Sequence, residues 1–120
     1  MATYSRRLLS GSTSGTPIAV SGTNTGTANT IHTAVSGATD FDEIYVWASN
    51  VTAAAATLTI EFGSATDPGG HIVKGYSVPA NSLPYPIITG QVLNGGLIVK
   101  AFSGTGSAIN ITGYVNRIAA

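Results

Sequence analysis

Apolar and polar residues alternate along most of the chain with a period of two. That spacing sends successive side chains of a β-strand to opposite faces of a sheet. The clearest case is "TLTIEF" (57–62), with Leu58, Ile60 and Phe62 on one face and Thr57, Thr59 and Glu61 on the other. "AINITGYVNRI" (108–118) sets Ile109, Ile111 and Val115 opposite Asn110, Thr112, Tyr114 and Asn116. "NTIHTAV" (29–35) places Ile31, Thr33 and Val35 toward a core and Thr30, His32 and Ala34 away from it. In "DEIYVWAS" (42–49), Ile44, Val46 and Ala48 oppose Glu43, Tyr45, Trp47 and Ser49. Both of its faces carry bulk, which predicts a central strand or one at an interface.

"PIAV" (17–20), "HIVKGYSVP" (71–79, weakened by Gly75) and "GGLIVKAF" (95–102) read as further strands. "NSLPYPIITG" (81–90) carries Pro84 and Pro86 two residues apart. They remove donors from one row of backbone positions, so this segment belongs at a sheet edge or in a loop. Between the strands lie turn-forming stretches such as "SGATD" (36–40), "GSATDPGG" (63–70) and "SGTGS" (103–107). "NVTAAAA" (50–56) also turns the chain. About eight short strands, roughly ten residues apart, predict an all-β fold. The expected architecture is a single antiparallel β-sandwich, jelly-roll-like, over residues 16–120. No window of helical periodicity competes. Residues 1–15 show no period, and "SGSTSGTP" (10–17) has linker composition, so the start of the chain predicts a flexible N-terminal arm.

Composition narrows the possible functions. The chain has 120 residues, enough for one domain with its own core. It has no cysteine, which excludes disulfides and thiolate zinc sites. Five basic residues balance five acidic ones, and charged residues make up 8% of the chain, against roughly 25% in an ordinary domain. Arg6-Arg7 is the one adjacent basic pair, a poor basis for binding nucleic acid. No run approaches the roughly 18 apolar residues of a membrane helix. The first residues lack the apolar stretch of a signal peptide, which fits a protein made in the cytoplasm. A surface this low in charge does not repel its neighbours and suits a dense assembly.

Candidate chemistry is sparse. "GSTSG" (11–15) has the outline of a nucleophile elbow, but its central residue is Thr13 and no strand-to-helix turn surrounds it. His32 and His71 stand far apart in sequence, and the expectation for each is an isolated side chain hydrogen-bonded to its neighbours, not a catalytic base or metal ligand. Asp40, Asp42 and Glu43 in "TDFDE" offer oxygen ligands for Ca²⁺, but the glycine and distal glutamate of an EF-hand are missing, and the cluster reads as a solvated turn. Five acids leave few pairs for glycoside hydrolysis, and "GTGSAIN" (104–110) has neither the spacing nor the helix of a phosphate loop. The expectation is therefore no enzyme, no cofactor and no metal. Tyr45, Trp47, Tyr76, Tyr85 and Tyr114 could stack on sugars, but Tyr and Trp also anchor protein interfaces.

The run "TIHTAVSGATDFDEIYVWASN", followed by "TLTIEFG", "DPGGHIVKGYSVPA" and "GLIVKAF…AINITGYVNRI", resembles small virion structural proteins of tailed bacteriophages. These short all-β proteins include the head decoration, or cement, proteins. The resemblance spans residues 30–118 and implies a β-sandwich without enzyme activity that self-associates and binds a capsid or tail surface. The expectation is a homotrimer on the outer surface of the mature head, made in the host cytoplasm, with the major capsid protein and its own copies as partners. Membrane and nucleic acid are not expected partners. The residues expected to make the contacts are Tyr4, Arg6, Arg7, Leu8 and Leu9 of the arm, with Tyr45 and Trp47 as interface anchors. The alternatives are a tail or baseplate protein and a carbohydrate-binding module for the host surface.

Overall fold

Each alternating segment forms a strand in the computed structural model, which describes residues 2–119. In chain order the strands are β1 (Thr3–Leu8), β2 (Ile18–Ala19), β3 (Asn29–Thr33), β4 (Phe41–Asn50), β5 (Ala56–Phe62), β6 (His71–Val78), β7 (Tyr85–Leu93), β8 (Ile98–Ser103) and β9 (Ile109–Ala119). One 3-10 turn, Thr25–Thr27, lies between β2 and β3, and no α-helix occurs among the described residues.

All pairings are antiparallel. The chain folds as one long hairpin rolled on itself: β5 pairs with β6, β4 with β7, β3 with β8 and β2 with β9. That nesting is a jelly roll. It yields two sheets. Sheet A runs β1-β9-β4-β7, with β2 also on β9, and sheet B runs β3-β8-β5-β6. The expected sandwich is therefore present, with nine strands rather than about eight.

The core lies between the sheets and is built from the inward positions of the period-two pattern. Ile44, Val46 and Ala48 of β4 and Ile109, Ile111 and Val115 of β9 face Leu58 and Ile60 of β5 and Val99 and Ala101 of β8; all are fully buried. Each such Ile, Leu or Val contributes roughly 1.5–3 kcal/mol of burial. β4 is central, paired with β9 on one side and β7 on the other, which accounts for bulk on both its faces. β7, with Pro86, is an edge strand, as the two prolines require.

The arm is corrected. Residues 3–8 form β1, aligned with the end of β9 from Thr3↔Ala119 to Leu8↔Tyr114. β9 is eleven residues long, and β2 covers only Asn110 and Ile111 on that edge. β1 supplies ladder partners for Tyr114 to Ala119. All six β1 side chains are exposed, so no buried face marked it as a strand. Leu9 follows at 1% exposure inside the core, which removes it as a surface contact. Ser10 and Gly11 cross to sheet B, where the Gly11 N–H donates to Ile31 O (2.9 Å) and the Thr33 N–H to Ser10 Oγ (2.7 Å). Met1 and Ala120, the outer limits of the arm and domain ranges, lie outside the described residues.

β3 departs from strict alternation. Its register on β8 shifts between Thr30 and His32. The bulge breaks the period, so Ile31 and His32 are both buried and Thr33 is exposed. His32, expected to face outward, points inward.

Candidate functional site

The outer face of sheet A gathers most of the residues expected to make contacts. Directly paired residues share a face, so the register defines rows across β1, β9 and β4. They are Tyr4–Ile118–Phe41, Arg6–Asn116–Glu43 and Leu8–Tyr114–Tyr45, with Thr112–Trp47 beyond them. Tyr114 is the centre. Its ring stacks on Tyr45, with centroids 5.0 Å apart and planes 19° apart, and lies 6.1 Å from Trp47. The Arg6 guanidinium sits 4.6 Å from the Tyr114 centroid. Tyr45 and Trp47 are on β4 and Arg6 is on β1, on opposite sides of β9, so both faces of Tyr114 are covered. This cation–π and aromatic stack holds Arg6 and the flanking rings in place.

The Tyr45 hydroxyl donates to Glu43 Oε1 at 2.9 Å. That hydrogen bond, reinforced by burial, raises the Tyr45 pKa above its ordinary value. Around the stack lie the freest apolar side chains of this face, Tyr4 at 69% and Leu8 at 55% exposure. Arg7 lies on the other side of β1, opposite Val115, and is exposed there. The structure thus brings together Tyr4, Arg6, Leu8, Tyr45 and Trp47, and separates Arg7 and Leu9 from them. Tyr114 completes the group. Its outward position was readable from the alternation of β9, but its place beside Tyr45 depends on the register between strands.

His32 has a different role from the isolated surface residue expected of it. It is 2% exposed, and Asp42, on β4, is 0% exposed. Ser10 N–H donates to His32 Nδ1 at 3.0 Å, so the ring proton resides on Nε2 and is donated to Asp42 Oδ2 at 2.7 Å. Asp42 also accepts two bonds from Arg117 of β9, Nε at 2.8 Å and Nη2 at 3.0 Å, and one from Val35 N–H at 3.1 Å. Burial opposes ionisation of Asp42, but the hydrogen bonds from Arg117 and His32 together outweigh it and hold the carboxyl below its ordinary value. The group ties β3 of sheet B to β4 and β9 of sheet A. Both ring nitrogens are engaged inside the protein, leaving none to take a proton from a substrate.

The acidic cluster, expected to be a solvated turn, is corrected at Asp42, which is fully buried in β4. Asp42 points inward to Arg117 and Glu43 outward to Tyr45, so neighbouring carboxylates face opposite sides of one strand. Comparison with family models, curated proteins and solved structures returned no match.

Proposed function

We propose that the chain is a non-enzymatic virion structural protein that decorates the outer surface of a mature phage head. It docks and self-associates, as a trimer, through the outer face of sheet A and the free edge of β1. The observation that carries this reading is the continuity of the two. A preorganised Arg–Tyr–Tyr–Trp stack runs into an edge strand whose six side chains are all exposed. Aromatic residues and Arg are enriched at the centres of protein interfaces, and an open strand edge offers backbone pairing to a neighbour.

The low charge of the chain fits close packing beside identical copies. A protein that binds only the expanded lattice stabilises that lattice by mass action. Many modest contacts on one shell then act together. Jelly rolls occur both in viral capsids and in lectins, so the fold alone does not choose between them. The Arg6 guanidinium over the Tyr114 ring favours a protein partner, since Arg and aromatic residues together mark the centres of protein interfaces.

The double substitution Tyr4→Ser/Leu8→Ser tests this reading. Both side chains are more than half exposed, so the thermal midpoint should stay close to that of the parent. Loading onto expanded heads should weaken by about tenfold or more, the loss of a modest interface hot spot. Loading equal to the parent's at every concentration would remove this face as the contact.

A further inference from the structure

The outer face of sheet B holds a second polar group, which the proposed docking face does not involve. Glu61 of β5 and His71 of β6 are register partners. Glu61 is on the outward side of β5, yet it is only 2% exposed, and the His71 side chain is 5% exposed. The turn before β3 reaches Glu61, and Thr25 Oγ1 donates to Glu61 Oε2 at 2.9 Å. Phe102 of β8 packs edge-on against the His71 ring at 6.5 Å. Beneath this cover, Glu61 Oε1 and both ring nitrogens of His71 have no hydrogen-bond partner. Buried polar atoms are rarely left so, and a carboxylate beside an imidazole in this condition calls for a ligand that both can bind.

We propose that Glu61 and His71 form a binding site for a divalent transition metal of the zinc class. His71 Nε2 lies 3.6 Å from Glu61 Oε2. That is too long for a good hydrogen bond. It matches two ligands of one ion, since donors about 2.0–2.1 Å from a tetrahedral zinc stand roughly 3.4 Å apart. One imidazole and one carboxylate suit zinc, nickel or copper better than magnesium or calcium, which prefer oxygen alone.

The surroundings supply what such a site needs. Thr25 fixes the carboxylate. Asp67 Oδ1 lies 3.7 Å from His71 Nδ1, a small ring movement from hydrogen-bond range, and Lys74 holds Asp67 at 2.7 and 2.9 Å. A carboxylate behind the far nitrogen of a ligating histidine orients the ring and raises its basicity. Glu61 also lines an open cleft with Gly63, Ser64, Leu97 and Lys100, its register partner on β8. Among the described residues no group of three His, Cys, Asp or Glu converges on one point, so Glu61 and His71 are the two protein ligands and a bound ion would need water for the rest of its coordination.

The test is a titration of the full chain with ZnCl₂, by calorimetry and by thermal unfolding, with MgCl₂ as control. The expected result is one zinc per chain, a raised unfolding midpoint and no comparable response to magnesium. His71→Ala should abolish the binding, Glu61→Gln should weaken it at least about tenfold, and Asp67→Asn should weaken it about tenfold as an outer-shell change. ¹⁵N shifts of the histidine rings in the unmutated protein give a readout that needs no variant, and zinc should move those of His71 and not those of His32. No binding at millimolar zinc, binding retained in His71→Ala, or ring shifts confined to His32 would each overturn the proposal.

Discussion

Replacing Asp42 with alanine should lower the folding free energy by about 3–5 kcal/mol, the usual cost of removing one partner from a buried ion pair. The carboxylate accepts four hydrogen bonds, from His32, Val35 and twice from Arg117. Alanine leaves those donors without an acceptor at a position that is 0% exposed. Urea unfolding measures the loss directly, as a lower midpoint at unchanged slope. The penalty also depends on pH. The native Asp42 carboxyl titrates below its ordinary value of 3.8, so on acidification the unfolded chain takes up this proton before the folded one. The stabilisation is therefore complete above that ordinary value and fades as pH falls through the native one. The gap between the parent and Asp42→Ala should be constant near neutrality and narrow in acid. A gap that widened in acid, or a loss under about 1 kcal/mol at neutral pH, would show that Asp42 does not hold the sheets together.

Gly113→Val should be at least as damaging, for a reason of space. Gly113 lies in the middle of β9, opposite Val46 of the central strand β4. A Cβ at this position would collide with the backbone carbonyl oxygen of Tyr45 and come within 3.0 Å of Val46 Cα. Both obstacles are backbone, so no rotamer change relieves them, and β4 and β9 must move apart. That pair spans ten residues, from Phe41↔Ile118 to Asn50↔Ile109. The expected cost is about 4–5 kcal/mol, at the upper end for a single substitution, against a total stability of about 5–15 kcal/mol for a typical domain. Soluble yield and the thermal midpoint should both fall sharply. Ala should be less harmful than Val but still measurably destabilising. A Val variant with the parent's midpoint would contradict the close approach of the two strands.

The strands with one apolar face were legible because their burial is written as a period of two. β4, β5 and β9 present Ile44, Leu58, Ile60 and Ile111 to the core as the alternation predicts. The two prolines placed their segment at a sheet edge or in a loop, and β7 lies at the edge. Three features were not legible, each for its own reason. β1 buries no side chain, and its backbone pairing with β9 is not written in the alternation, so it left no hydrophobic signature. The bulge in β3 inserts a residue that changes the phase and turns His32 inward, where a strict period had turned it out. The partners of His32 come from residue 42 on β4 and residue 117 on β9, and only the pairing register brings these together. The same holds for the aromatic stack. Tyr45 and Trp47 were visible as a pair, but Tyr114 and Arg6 join them across strand boundaries.

The contrast between the two sides of β4 bears on function. On its inner side, Asp42, Ile44 and Val46 are packed and satisfied within the chain. On its outer side, Tyr45 and Trp47 join an ordered surface that continues to Tyr4 and Leu8. Order in such a surface lowers the entropy lost on binding, because the side chains are already placed.

The proposal that the chain decorates a phage head is tested most directly by mixing the purified chain with expanded, DNA-free phage heads from the source of the sequence, sedimenting them, and imaging the pelleted particles. The account predicts saturable binding, with added density at regular lattice positions on the outer shell and the outer face of sheet A turned toward the capsid or a neighbouring copy. Density on tails alone, or no binding to the heads at saturating concentration, would contradict it.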